Sequence, residues 1–367
     1  MRQCHTHKFD PITHKDYYSL FALLNNADEP EMEVSSPALE AERERIKSEI
    51  RNAEAALIDQ IAPAAYKRWK QETLARTAEW TTLRPKSMKS TRPLLDLMED
   101  GSVFASGDFQ KRDVYRLKYD LENQFERQVS AIRIEALPDE RLPANGPGAA
   151  YYEGRKGDFF LSEVIAQSGE TSLAFKGASI DFGKIAIGSG KSLGTNVYDG
   201  IGSSGWSTAT QEGKRHELVL LLDAPQSLQE LSIEMVFERH FVAALGRFRL
   251  SVTDDPGEVQ ARGGEISDLT RATDDALKRL HVNQSEVFEA ERQEIAALRK
   301  SIPDYPTTLV MREWNENQRK TFRHHRGEYL QPREEVSPAV PAMFSPLPAN
   351  EPANRLSLAR WLVGEDN

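Results

Sequence analysis

Apolar and polar residues alternate with a period of two across several short runs between 158 and 253, the pattern of strands with one face buried and one solvated. Leu218/Leu220/Leu222, Leu231/Ile233/Met235/Phe237 and Phe248/Leu250/Val252 each put one apolar face inward, with Glu234 and Arg249 on the opposite faces. Further short runs, punctuated by Gly, Pro and Asp, lie at 80–84, 103–105, 114–119, 130–136, 158–166 and 172–175. So many strands with no helices between them predict an antiparallel β-sandwich of the jelly-roll, galactose-binding-like kind over 78–255, rather than a βαβ sheet. The Pro- and Gly-rich stretch 137–148 reads as a long ordered connection.

On both sides of this region the period changes to that of a helix. Ser36-Pro37 supplies a cap and a first-turn proline, and Leu39, Ile46, Ile50, Ala53, Leu57 and Ile61 then recur at helical spacing until Pro63. A second helical piece at 64–75, with Tyr66, Trp69 and Leu74, completes a helical hairpin over 35–77. Beyond the sandwich, 267–280 and 284–300 are helical within a segment 256–300. The stretch 301–367 is Pro-rich and mostly extended, has a short strand candidate at 309–311, and enters a helix at 354–363. A chain that stops inside an apolar helical pattern reads as a fragment. The fold class is therefore mainly β with flanking helices, the sandwich being inserted between helical segments.

The 367 residues are 39% hydrophobic and 8% aromatic, enough for two or three domains with real cores. A net charge of -10 argues against nucleic acid as a partner. No apolar run is long enough for a transmembrane segment, and the first residues lack the apolar core of a signal peptide. The single cysteine, Cys4, excludes an intramolecular disulfide.

Chemistry is densest at Cys4-His5-Thr-His7-Lys-Phe9-Asp10-Pro11, in the stretch 1–34. Cys4-His5 is the second half of a Cys-x-x-Cys-His haem attachment motif, whose first cysteine position is Met1 here. Alternatively, His5, His7, Asp10 and His14 form a divalent-metal site, or the cluster is a polar lead-in to a helix.

The second candidate is the Gly/Ser-rich loop from Gly188 to Trp206. Its Tyr198-Asp-Gly-Ile-Gly-Ser-Ser-Gly-Trp206 is similar to the Asp-Gly…Trp pattern of galactose-binding, discoidin-type modules. The ligand-binding residues would be Tyr198, Asp199, Trp206, Arg215 and His216, with the aromatics as sugar platforms, Asp199 and Arg215 as hydrogen-bonding groups, and Asp199 the anchor of a calcium ion. The alternative reading is that Trp206 plugs the end of the core and Asp199 caps a turn. Gly188-Ser-Gly-Lys-Ser192 lacks the spacing and frame of a phosphate loop, and His324-His325 reads as a solvated basic run. A search for catalytic constellations finds none complete, so the chain reads as non-catalytic.

Several stretches, in order, resemble the large planctomycete cytochrome-c-associated proteins: the run from Cys4 to Phe21, Arg133-Ile-Glu-Ala-Leu-Pro-Asp139, Phe159-Phe-Leu-Ser-Glu163, Gly246-Arg-Phe-Arg-Leu-Ser-Val-Thr253, His325-Arg-Gly-Glu-Tyr-Leu330 and Asn354-Arg-Leu-Ser-Leu-Ala-Arg-Trp-Leu362. In that family of secreted multidomain proteins a cytochrome-c-like segment precedes two domains of unknown function. The resemblance implies that 1–34 is the tail of the first such domain and that the second begins near Thr307. It also implies a periplasmic or cell-surface location. Haem c at Cys4 and His5 is its implied cofactor, with a departure at Met1. The expected function is a non-catalytic fragment of a secreted multidomain protein, whose sandwich binds a polysaccharide or glycan or packs neighbouring domains. Two alternatives stand: a c-type-haem electron-transfer protein using Cys4 and His5, or a structural scaffold docking through the hairpin by Ile46 and Ile50.

Overall fold

The computed structural model describes residues 3–28, 31–75, 77–151, 153–186, 191–314 and 318–364. In chain order, α1 (His14–Ala22) is followed by the short strands β1 (Ala27–Asp28) and β2 (Glu31–Glu33), then α2 (Pro37–Asp59) and α3 (Pro63–Ala75). Twelve strands come next: β3 (Thr81–Thr82), β4 (Ser87–Ser90), β5 (Leu94–Leu97), β6 (Val103–Ser106), β7 (Arg112–Asp120), β8 (Val129–Ala136), β9 (Glu163–Ser168), β10 (Thr171–Ser172), β11 (Phe175–Ile180), β12 (His216–Gln226), β13 (Glu230–Glu238) and β14 (Arg247–Thr253). The chain continues through α4 (Asp274–Gln284), α5 (Glu289–Ser301), β15 (Thr307–Leu309), β16 (Arg312–Glu313), β17 (Thr321–His324), β18 (Pro332–Val336) and α6 (Arg355–Leu362). The protein is thus mostly β, with its strands in antiparallel sheets. No helix among the described residues is long and apolar enough to cross a membrane.

The chain divides into two compact units, Ala53–Arg292 and the pair Met1–Asn52 with Gln293–Asn367. In the first, β10-β9-β13-β7-β4 form a five-stranded sheet and β11-β12-β8-β14-β6-β5 a larger one, with β3 added at β14. Alternation does the sorting. Leu117, Ile233, Met235 and Val164 from the smaller sheet and Ile132, Ile134, Leu218, Leu220 and Leu250 from the larger share one core. Tyr115 ties the two together, its ring 5.7 Å from that of Phe248 and its hydroxyl donating to Leu245 O at 2.9 Å.

The larger sheet is covered on its other face as well. Ala131, Val219 and Leu221 point away from the shared core and pack with Ala78 and Trp80, supported by Val259 and Ala261. This explains why Leu218-Val-Leu-Leu-Leu222 is an unbroken apolar run, since a strand buried on both sides has no polar face to show. The covering segment after β14, residues 255–269, is otherwise irregular apart from a short turn at Leu269–Arg271.

In the second unit β1 pairs with β16, β2 with β15, and β17 with β18. α1 starts at a capping box in which Thr13 and Asp16 satisfy each other's backbone, and α6 at one made by Asn354 and Ser357. Leu23, Val340 and Leu358 form a small apolar cluster, and the Tyr18 ring stacks on His324 at 5.3 Å. Ile46 and Ile50, expected as docking residues, are buried.

Candidate functional site

The Gly-rich loop comes first. Its Gly188-Ser-Gly190 stretch lies outside the described residues. A helical turn at Gly194–Tyr198 leads to Asp199, and Tyr198 is half-buried with its ring 5.4 Å from Phe175. Asp199 is exposed, and its carboxylate accepts from Ile201 N at 2.8 Å and Ser204 Oγ at 2.7 Å, with Gly200 at φ +75° turning the chain. Trp206 is fully buried, edge-on to Phe159 at 5.0 Å, and its Nε1 donates to Phe182 O at 2.9 Å. Arg215 and His216 lie at the start of β12 with opposite partners. Arg215 meets Glu135 on the outer face of the larger sheet, whereas His216 Nδ1 sits 2.7 Å from Asp181 Oδ2 beside the Phe182 ring.

The structure overturns the expected cofactors. Among the described residues no group of three or more His, Cys, Asp or Glu is placed to hold a metal ion. Asp199 therefore belongs to no group that could hold calcium, and its oxygens serve the turn instead. Haem c fails because Cys4 is the chain's one cysteine, so Cys-x-x-Cys-His attachment is impossible. Met1, the departing position, lies outside the described residues. Cys4 is exposed, and His5, also exposed, hydrogen-bonds through Nδ1 to Thr6 O at 2.8 Å. The divalent site fails too: His7 pairs with Asp10 at 3.0 Å. His14 is buried, donating from Nε2 to Gln3 O at 2.6 Å and accepting at Nδ1 from Arg323 at 3.3 Å. Each imidazole is thus held in a local bond of its own, and the rings do not converge on one point with Asp10.

Charged chemistry is instead concentrated on the outer face of the larger sheet. Arg133 and Glu135 on β8, Arg215 and Glu217 at the start of β12, and Arg249 on β14 stand side by side because each occupies an outward position on adjacent strands. Glu135 is the hub, fully buried, accepting from Arg215 Nε at 2.7 Å, Arg249 Nε at 2.8 Å and Ser267 Oγ at 2.7 Å. Burial acts to raise its carboxyl, but Arg133, Arg249 and Arg215 outweigh it and hold the group at about 2. At Glu217 burial wins over Arg215 and Arg133, and its carboxyl is pushed up. Glu217 bonds the Arg215 guanidinium and accepts from Arg262 N at 2.5 Å. Arg133 donates to Ser267 O at 2.8 Å, and its guanidinium lies 4.6 Å over the Trp80 ring. These charges therefore pin the covering segment by its backbone.

Between that segment, α3 and α4 opens a cleft of about 810 Å³. Arg133 and Glu217 reach its floor, Trp69 and Trp80 its walls, and Gln260, Asp268 and Gln284 supply polar lining. Trp69 is only partly buried. Its ring is braced by two others, 4.8 Å from His281 and 5.9 Å from Tyr66. Tyr66 donates to Asp274 Oδ1 at 2.9 Å; burial and that carboxylate push its hydroxyl up to about 12. Burial pushes the His281 imidazole down, which favours a neutral ring beside Trp69.

None of Tyr198, Asp199, Trp206, Arg215 and His216 lines this cleft. Its tryptophans read in the sequence as helical packing and as a strand start. The signal that could have found it is the unbroken apolar run of β12 beside strands carrying Arg and Glu at alternate positions, which together require a cover on the outer face. In comparisons with known proteins no family model matches the chain, and neither a curated protein nor a solved structure matches it.

Proposed function

We propose that the two-sheet unit is a non-catalytic carbohydrate-binding module, a sandwich of the jelly-roll, galactose-binding-like kind, and that the outer cleft holds the sugar. The observation that carries this reading is the braced, partly exposed Trp69 ring on the wall of a polar cleft of about 810 Å³. A sugar ring offers an apolar face that stacks on an indole, with hydroxyls around its edge for planar partners such as Gln260, Gln284 and Asp268. Bracing means that little side-chain freedom is lost on binding. The secreted, periplasmic or cell-surface setting belongs to the same proposal, supported by the resemblance of several stretches to the planctomycete proteins.

The test is calorimetric titration of the whole chain against a panel of neutral oligosaccharides. Trp69→Ala should weaken the best binder by about three- to tenfold, with an unchanged far-ultraviolet spectrum. A panel with no binder, or a Trp69→Ala protein that binds as well as the parent, sinks the reading. Packing of neighbouring domains is a second reading, favoured by the other unit, whose Phe9, Leu330 and Val363 are 82%, 80% and 83% exposed.

A further inference from the structure

We infer that the cleft selects sugars carrying protonated amines over sugars carrying carboxylates or sulfates; this rests on the carbohydrate reading and names the ligand class of the same site. The charges of the lining decide it. Both cleft arginines are engaged: Arg133 lies 3.6 Å from each of Glu135 and Glu217 and donates to Ser267 O, and Arg262 donates from its guanidinium to Thr77 Oγ1 at 2.6 Å. An anion entering the cleft would have to displace those partners. Carboxylates outnumber arginines in the lining, and Glu72 and Glu258 are exposed and form no ion pair among the described residues. Asp255 adds negative charge, spending part of its hydrogen-bonding on its own turn, whereas Asp268 is ion-paired with Arg271 at 3.4 Å. The chain's net charge of -10 acts in the same direction at long range. An ammonium group on a sugar stacked at Trp69 would find acceptors at the rim and, among the described lining residues, only arginines that are already engaged. A Lys-rich peptide shares the charge but offers no flat apolar face to the indole, so the saccharide is the occupant the braced ring favours.

The experiment titrates the whole chain with a glucosamine oligomer, its N-acetylated counterpart, a uronate oligomer and oligolysine, at low and high salt. The expected result is glucosamine oligomer binding about tenfold tighter than the acetylated or uronate oligomer at low salt, a gap that narrows at high salt. Glu72→Gln and Glu258→Gln should each close it by roughly two- to fivefold, while Trp69→Ala weakens all the sugars alike. Uronate binding as tight as or tighter than glucosamine, or a gap untouched in the double Gln variant, overturns the inference and leaves the carbohydrate reading standing. Binding of oligolysine alone, with no sugar bound, overturns both.

Discussion

Asp158 shows how much a single buried carboxyl decides. It is 4% exposed, accepts from Phe159 N at 2.8 Å, and lies 2.9 Å from Ser207 Oγ, which is also 2.7 Å from Lys184 O. One hydroxyl hydrogen cannot serve two acceptors, so the arrangement closes when Asp158 carries a proton and donates to Ser207, which then donates to Lys184 O. Burial pushes this carboxyl up to about 7; Glu212 adds to the rise, while Ser207, Phe159 N and Arg155 oppose it. Arg239 is the other charge in its field. The folded chain therefore binds a proton that the unfolded chain, with an ordinary value near ~3.9, has released. Stability from this group is full below that lower value and is lost as pH rises toward 7, at about 1.4 kcal/mol per pH unit. Urea unfolding at pH 5 and pH 8 should show the fall in the parent and a much shallower one in Asp158→Asn; equal slopes would remove the proton from the account. Trp206 is the neighbouring lesson. An Asp-Gly…Trp pattern is legible in sequence, but the side of the loop to which its indole turns is not. It turns inward, with Gly205 allowing the approach because a Cβ there would lie 2.4 Å from Leu161 O. Trp206→Ala should lower stability by about 3–5 kcal/mol in the same unfolding experiment.

Among the elements, strands were legible where one face is apolar. β7, β8, β12, β13 and β14 fall where alternation predicts them, within a residue or two except for the longer end of β12. β4 (Ser-Met-Lys-Ser) and β5 (Leu-Leu-Asp-Leu) are four-residue edge strands; β4 has a single apolar residue, and the leucines of β5 neither alternate nor become buried, so neither shows the period of two. Residues 158–162 were expected to begin a strand. They are buried but almost wholly irregular, because hydrophobicity reports burial and not the hydrogen-bond ladder. The outer cover was the larger omission. Its tether at Ser267 is built from side chains 132 and 18 residues away in sequence, at Glu135 and Arg249, a pairing that no local window contains. Glu135→Gln should destabilise the fold by about 3–5 kcal/mol, since it leaves Arg133, Arg215 and Arg249 without their shared counter-charge. A chemical-denaturation midpoint unchanged from the parent would show that the cluster is dispensable.

At the scale of the whole molecule, the strands β3 to β14 of the two sheets run from Thr81 to Thr253, while the compact unit that holds them is Ala53–Arg292. Composition alone could not show that α3 and α4 belong to the same compact unit as the sheets, since their link is the Tyr66–Asp274 bond across distant sequence. The other unit exposes Tyr329 and Leu330 near its β17–β18 hairpin. Replacing Leu330 by Glu should raise the concentration at which the chain stays monodisperse in light scattering without moving its tryptophan fluorescence, and no gain would argue that this patch is inert. The alternating charges on β8, β12 and β14 have one more effect, on the chain's journey to this state. A slide of any of these strands by one residue would drive Arg133 with Glu135, or Glu217, or Arg249, into the space held by Ile134, Leu218 and Leu250. Burying such unpaired charge costs as much as a domain's whole stability. Misaligned pairings of these strands are therefore shut out in advance as the sheet assembles.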